Sequence, residues 1–590
     1  MPAQRRALVL LCLFGLLLAI PPLAQADEAL RERLEALRER PRTSVAGIRL
    51  ASAPLLDDLY RERDYGFAWA GRDRVDALLG LAEETRTHGL RPEDFHSQPL
   101  RELLAGQAPG DLSGTARIDA ELLLSDALLR LIHHLRYGKV DPQALDRKAH
   151  QADGPYSTDL VRDLAQALAA RDLAAEVHAL TPKPSFYTRL KDGLAQYRAI
   201  AAAGGWPKVS PGRKLEPGTR DARVLQVRER LRATGELSGA DAADPRLYDR
   251  ALVSAVKAFQ ERHHLAVDGV IGPATLATMN VTAEERVAQI RVNLERMRWV
   301  HDNLPEDYLL VDIPGQQAQL LRGGETVWSS RVIVGRADRQ TPVFRDQVEY
   351  LEFNPTWTVP PTILKKDIFP AARNNPAAVR AKGLTVIDRS GRKVAPEDVD
   401  WSASPGNFPY TLRQPPGDRN ALGQVKFMFP NRFAVYLHDT PDRRLFNRSQ
   451  RLHSSGCVRV ERPMELAELL LDQPERWNHQ SFERLIRSGK TRTVHLQQPM
   501  PIILSYWTAE AAADGGVRFR PDVYERDTQV LAALDGSGPI RLVYVDPRPK
   551  PQPELEAQPA SPEPSLAAEV GQTDHQAPSA VTEAVSDRSL

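Results

Sequence analysis

Phe433-Ala434-Val435-Tyr436-Leu437-His438-Asp439-Thr440-Pro441 and, fifteen residues beyond His438, Ser454-Ser455-Gly456-Cys457-Val458-Arg459-Val460 are the stretches on which the reading of this chain turns. Phe433, Val435 and Leu437 alternate onto one face and leave Ala434, Tyr436 and His438 on the other, the period of a half-buried strand. With the apolar set toward the core, His438 projects into a groove at the strand's end. Cys457 follows Gly456, whose missing side chain lets a substrate carbonyl approach the backbone. The adjacent N–H groups of Gly456 and Cys457 can receive the negative charge of a tetrahedral intermediate. A free thiol of pKa about 8.5 is only a few per cent ionised at neutral pH, so it needs a base. His438 is the first candidate, with its second ring nitrogen requiring an orienting acceptor. His453, four residues before the cysteine, is a rival. The plain alternative is that Cys457 is a small buried hydrophobe.

Cys457 stands out further because the chain holds only two cysteines. The other, Cys12, lies in an apolar run from Ala7 to Ile20 that follows Arg5 and Arg6 and ends before Leu23-Ala24-Gln25-Ala26. That pattern predicts a signal peptide over 1–26, cut after Ala26, and the run is too short to span a bilayer. An exported chain with one leftover thiol carries either a reactive group, an intermolecular bridge or a buried passenger. Cleavage takes 78 basic residues to 76 against 77 acidic ones. That balance excludes a protein gripping nucleic acid by a strongly basic face, and equally a polyacidic solvating chain. No later stretch reads as a transmembrane segment.

Working outward, 590 residues allow roughly three or four domains. Residues 27–203 read as a helical scaffold, with Leu30, Leu34 and Leu37, and later Leu124, Leu128, Leu131 and Leu135, at helical spacing. His133 and His134 are adjacent in one of these helices and are expected to point apart, which argues against a metal site. A linker at 203–218 leads to a compact three-helix module over 215–279, closed by Asp268-Gly269-Val270-Ile271-Gly272-Pro273-Ala274-Thr275. From Asp307 the period becomes two: strands are expected at Tyr308–Ile313, Gln319–Leu321, Val327–Val334, Val425–Phe429 and Phe433–His438. A proline-broken, irregular stretch over about 360–416 is too long for a plain connection and reads as a covering. Ile502–Trp507 and Val517–Arg520 flank Asp514-Gly515-Gly516 as a hairpin. A Pro/Ala/Ser/Glu-rich tail over 546–590 is expected to be disordered. The fold class is multidomain α+β, with a mostly-β domain over 307–545.

The His438–Cys457 pattern resembles the active-site motif of the L,D-transpeptidases with a YkuD-type catalytic domain: His, about fifteen residues, Ser/Thr-His-Gly-Cys, an apolar residue, then Arg or Asn. Ser455 departs from the usual His, a departure shared by the large periplasmic members of the YcbB type. Phe353-Asn354-Pro355-Thr356-Trp357-Thr358-Val359-Pro360-Pro361, Pro416–Gly423 and Lys426-Phe427-Met428-Phe429-Pro430-Asn431 are similar to phrases of that subgroup. The module at 215–279 resembles the small peptidoglycan-binding domain, with His264 where Gly is usual, and 27–203 resembles the subgroup's scaffold.

The resemblance implies a periplasmic enzyme. Cys457 would attack the carbonyl between meso-diaminopimelate and D-alanine of a tetrapeptide stem, release D-alanine, and pass the acyl group to a neighbouring stem as a 3→3 cross-link. His438 would serve as base and then acid, with the Asp439 backbone carbonyl as third member. Ser454, Gly456 and the Cys457 N–H would position the site and stabilise the oxyanion. Tyr436 and Trp357 would line the donor groove or pack as ordinary aromatics, and Ser455 and Asn431 are further substrate-side candidates. Arg459 would hold a substrate carboxylate or brace its loop. Peptidoglycan stems as donor and acceptor, inhibition by carbapenems, and no metal or organic cofactor follow. The alternatives are a non-catalytic wall-binding scaffold and a cysteine peptidase (an L,D-carboxypeptidase) shortening stem peptides.

Overall fold

The computed structural model describes residues 22–40, 44–146, 157–239, 242–301, 304–402, 408–512 and 515–536. The expected signal peptide, apart from residues 22–26, lies outside them, as do Asp514 of the expected hairpin turn, residues 537–545 and the tail 546–590. No described helix is long and apolar enough to cross a membrane.

The N-terminal scaffold is helical, and its axis is the helix Gly114–Arg136. Leu122, Leu123, Leu124, Ala127, Leu128 and Leu129 are all fully buried, because neighbouring helices pack around this one on every side. His133 and His134 do not diverge as expected: their rings lie 5.3 Å apart in the crowded space beside Phe95 and Tyr137. The three-helix module has helices Arg223–Ala233, Arg250–Arg262 and Pro273–Met279 around Val224, Val227, Leu231, Leu252, Val256 and Phe259. Gln260 holds its closing loop by accepting from the Gly269 N–H at 2.8 Å and donating to the Val270 carbonyl at 3.0 Å.

Between this module and the first strand, where the sequence suggested nothing, runs the helix Ala283–His301. It packs on the helix Ser185–Ala202, and Ile290, Leu294 and Met297 share a core with Leu310, Ile503 and Trp507. The sparse apolar pattern of this helix reflects a position between two domains, where buried polar groups such as Arg298 and Glu295 pair with one another.

The β domain begins with β1 (Tyr308–Asp312), β2 (Gln317–Arg322), β3 (Glu325–Gly335) and β4 (Phe344–Phe353). β5 (Trp357–Thr358), β6 (Thr385–Ile387), β7 (Lys393–Val394) and β8 (Thr411–Gln414) form a separate four-stranded sheet. β9 (Val425–Met428), β10 (Leu437–His438), β11 (Leu452–Ser454), β12 (Val458–Val460) and β13 (Arg492–Ser505) complete the main sheet, and β14 (Ala509–Ala511) pairs with β15 (Val517–Phe519). Its order is β11-β3-β12-β10-β9-β4-β13-β1-β2, and β2 also pairs with β3, so the sheet closes on itself. Closure leaves few edges to protect.

Three expectations change. The strand expected over 433–438 shrinks to Leu437–His438. Asn431 folds the preceding residues into a turn, accepting from the N–H groups of Phe433 and Val435, and Ala434 takes a left-handed φ of 52°. The stretch 360–416 is not irregular but carries its own core of Val359, Ile368, Phe369, Val379, Leu384, Val386, Trp401 and Leu412. Its strands are two to four residues long, too short to show a period. Finally, Ile502–Ser505 belongs to the long β13 between β4 and β1, and the hairpin is formed one strand later by β14 and β15.

Candidate active site

The register of β10 against its neighbours assembles the site. In the parallel pair β10–β12, Leu437 stands opposite Val458 and His438 opposite Arg459. Leu437 and Val458 are fully buried in the core, so alternation puts Tyr436, His438, Cys457 and Arg459 together on the other face. Cys457 and His438 are diagonal neighbours on strands about 4.8 Å apart. His438 is buried at 5% exposure, whereas Cys457 is half-buried, its thiol donating to the Ala434 carbonyl at 3.9 Å.

The turn carrying the cysteine is held from several sides. Ser454 Oγ accepts from the Gly456 N–H at 3.1 Å and donates to the Cys457 carbonyl. Gly456 adopts φ 121°, a conformation open to glycine and strained for other residues. Thr341 Oγ1 donates to the Gly456 carbonyl at 2.8 Å and accepts from the Gly335 N–H at 2.9 Å. The Tyr524 hydroxyl donates to the Gly335 carbonyl at 2.6 Å. Exposed Ser455 accepts from Arg339 at 3.0 Å, and the same guanidinium grips Asp367 of the covering segment at 2.7 Å. The Gly456 N–H is therefore committed to Ser454, while the Ser455 and Cys457 N–H groups of this turn have no described partner.

Each charge in the site is tuned by burial and by two cations. Burial lowers the His438 pKa to about 3, and Arg459 and Lys426 push the same way, against the carbonyl oxygens of Asp439 and Leu422. Nδ1 bonds the Asp439 carbonyl. Burial raises the Cys457 thiol, opposed by the Tyr436 N–H and hydroxyl and by Lys426 and Arg459. The resting pair is thus neutral thiol and neutral imidazole. Burial first, then the nearby sulfur, raise the Tyr436 pKa. Its ring lies 5.7 Å from that of His438, edge to face. Arg459 is half-buried, and its Nε has no hydrogen-bond partner among the described residues.

Cys457, His438, the Asp439 carbonyl, Ser454, Gly456, Tyr436, Trp357, Ser455 and Arg459 are thus brought to one region. Asn431 is not aimed at the cleft: its amide donates to the carbonyls of Phe429 and Val435 and its oxygen takes two backbone N–H groups. The Asp439 carboxylate is turned away as well, accepting from the Gln424 N–H at 2.9 Å and from Arg443 at 2.8 Å. It packs so closely on Gly423 that a Cβ there would fall 2.4 Å from Oδ2. His453 is exposed on β11. Thr341, Tyr524, Arg339 and Lys426 were missed. Only Lys426 had a local signal, the alternation Val425, Lys426, Phe427, Met428; the others act through long-range folding.

Three segments of the chain match known protein families. Residues 306–490 match the YkuD family, described as the L,D-transpeptidase catalytic domain; residues 220–279 match a peptidoglycan binding domain and 54–194 a scaffold domain. A Haemophilus influenzae protein named "Putative L,D-transpeptidase" is 36% identical over 251 residues, which are 42% of this chain and 50% of that protein. The chain therefore spans half the length of the curated relative it matches. Crystal structures of L,D-transpeptidases from Xylanimonas cellulosilytica and Stackebrandtia nassauensis match half of this chain and nearly all of their own. Their identities are 14% and 12%, with TM-scores of 0.17 and 0.18. The chain carries a YkuD-type L,D-transpeptidase catalytic domain together with a peptidoglycan-binding domain.

Proposed function

We propose that the protein is an exported L,D-transpeptidase of the YcbB type that forms 3→3 cross-links between peptidoglycan stems through a Cys457 thioester. The observation that carries this reading is the shared face of Tyr436, His438, Cys457 and Arg459, with the cysteine half-buried and the imidazole buried.

Because both groups rest neutral, the reaction runs by general-base transfer as the substrate docks. A proton on Nδ1, held by the Asp439 carbonyl, leaves the Nε2 lone pair to take the proton of Cys457 Sγ. The sulfur bonds to the diaminopimelate carbonyl carbon, and the Cys457 N–H faces the developing oxyanion. Collapse breaks the C–N bond to D-alanine, whose nitrogen receives the proton from His438. The side-chain amine of a second stem then attacks the thioester, His438 takes a proton from it, and the thiol is regenerated. Tyr436 and Trp357 line the donor groove in this account.

The test is mass spectrometry of muropeptides after the purified chain meets tetrapeptide donors. The wild-type protein should yield 3→3 dimers and free D-alanine, and a carbapenem should add covalently to Cys457. Cys457→Ala should abolish dimers and adduct alike, and dimers persisting in that variant would overturn the assignment. Shortened stems without dimers would instead identify a carboxypeptidase.

A further inference from the structure

Lys426 has no part in the account above, yet it stands in the middle of the site. On β9 it is in register with His438 of β10, which is in register with Arg459 of β12. On its other side it pairs with Glu352 of β4. In-register side chains on adjacent strands share a face, and this one is opposite the core residues Leu351, Phe427, Leu437 and Val458. The Lys426 ammonium sits 4.1 Å from the centre of the Tyr436 ring, which lies near the Cys457 sulfur.

Lys426 is half-buried, and burial lowers its pKa against the nearby Glu352 and Cys457. Glu352 lies beside it without an ion pair at 4.0 Å or less, and among the described residues the ammonium makes no hydrogen bond. Its three N–H donors therefore have an aromatic ring beside them and no described hydrogen-bond partner. A ring face restores only part of the hydration that burial removes from a cation, and an anion supplies the rest. Arg459, with its unpartnered Nε, flanks His438 on the far side. A substrate lying over Tyr436 thus meets a positive field on both sides of the sulfur.

We propose that Lys426 is a specificity-determining residue that binds a carboxylate of the donor stem peptide over the Tyr436 ring and so places the scissile carbonyl at Cys457. This rests on the stem-peptide reading of the site. The carboxylate is that of the diaminopimelate side chain or of the terminal D-alanine. Binding it also cancels part of the positive field that disfavours imidazolium, so His438 accepts the thiol proton more readily once the correct donor is in place.

The test compares three donors with the full-length protein: the tetrapeptide stem, the same stem amidated at the diaminopimelate side-chain carboxylate, and the stem amidated at the D-alanine carboxylate. Acyl-enzyme formation is followed by intact mass. In the wild type, amidating the recognised carboxylate should lower acylation efficiency by about tenfold to a hundredfold, the worth of one charge-assisted bond. Lys426→Met should lose a similar factor on the unmodified stem, mainly in KM, and be indifferent to the amidation. Lys426→Arg should restore discrimination. Equal use of all three donors by the wild type would overturn the proposal, as would unchanged discrimination in Lys426→Met. Should that variant melt early, the wild-type comparison with Lys426→Arg still decides. A wild type acylated by none of the donors would sink the stem-peptide reading itself.

Discussion

A thiol raised by burial next to an imidazole held neutral gives the site a distinctive response to pH. Alkylation of Cys457 by iodoacetamide should climb as pH rises through and beyond the ordinary thiol range, with no inflection near 6.5, because His438 stays uncharged down to about pH 3. A rate already flat from pH 5 upward would show a preformed thiolate–imidazolium pair and contradict this. Gly456→Ala should be costly although an added Cβ would meet only ordinary contacts, the Gln340 carbonyl at 3.6 Å and Val435 at 3.9 Å, since the backbone angle disfavours a side chain. A penalty of about 1–3 kcal/mol in urea unfolding is expected, with a larger loss of acylation because Cys457 is displaced. At this scale the sequence was informative where chemistry imposes residue types: Cys457, His438 and the glycine between Ser455 and the cysteine were legible. It misled at Asn431 and at the Gly456 N–H, because short-range turn bonding claimed both. Lys426 was legible only as an outward-facing strand residue; its closeness to Tyr436 depends on how β9 and β10 pair.

Among the elements, the loop between β3 and β4 and the covering segment act together on the catalytic turn. Arg339 is the link: it reaches Ser455 on one side and Asp367 on the other, with its own side chain only 7% exposed. Arg339→Ala and Asp367→Ala should each weaken substrate capture, and a double-mutant cycle on acylation KM should reveal coupling of about 1 kcal/mol. Independent effects would show that the covering segment and the turn are not joined through this pair. Length and prolines set the segment 360–416 apart from a plain connection, but its small sheet was not legible. Two-residue strands such as β5 and β7 contain less than one full alternation, so their pairing is set by the shared core around Phe369 and Trp401.

At the scale of the molecule, the C-terminal helix Asp527–Asp535 belongs by packing to the N-terminal scaffold: Val530 and Leu534 are buried among its leucines. Leu534→Ala should destabilise the chain by about 2–4 kcal/mol. Denaturant titrations followed by scaffold helix content and by Cys457 accessibility should shift together. A shift confined to the scaffold signal would show that the two parts melt separately. The sequence marked out the helical, three-helix and mostly-β regions through changes of period. It was silent on the helix Ala283–His301 and on the return of the C-terminal helix, since both satisfy contacts with residues hundreds of positions away. Lys139 donates to the Leu534 carbonyl across 395 positions. A chain built from its N-terminus therefore leaves an unfinished leucine-rich surface open until the helix Asp527–Asp535 has been added. Closure of the scaffold thus reports that this helix has been made: a product cut short before it keeps greasy surface open to proteases, whereas a chain that includes it seals that surface.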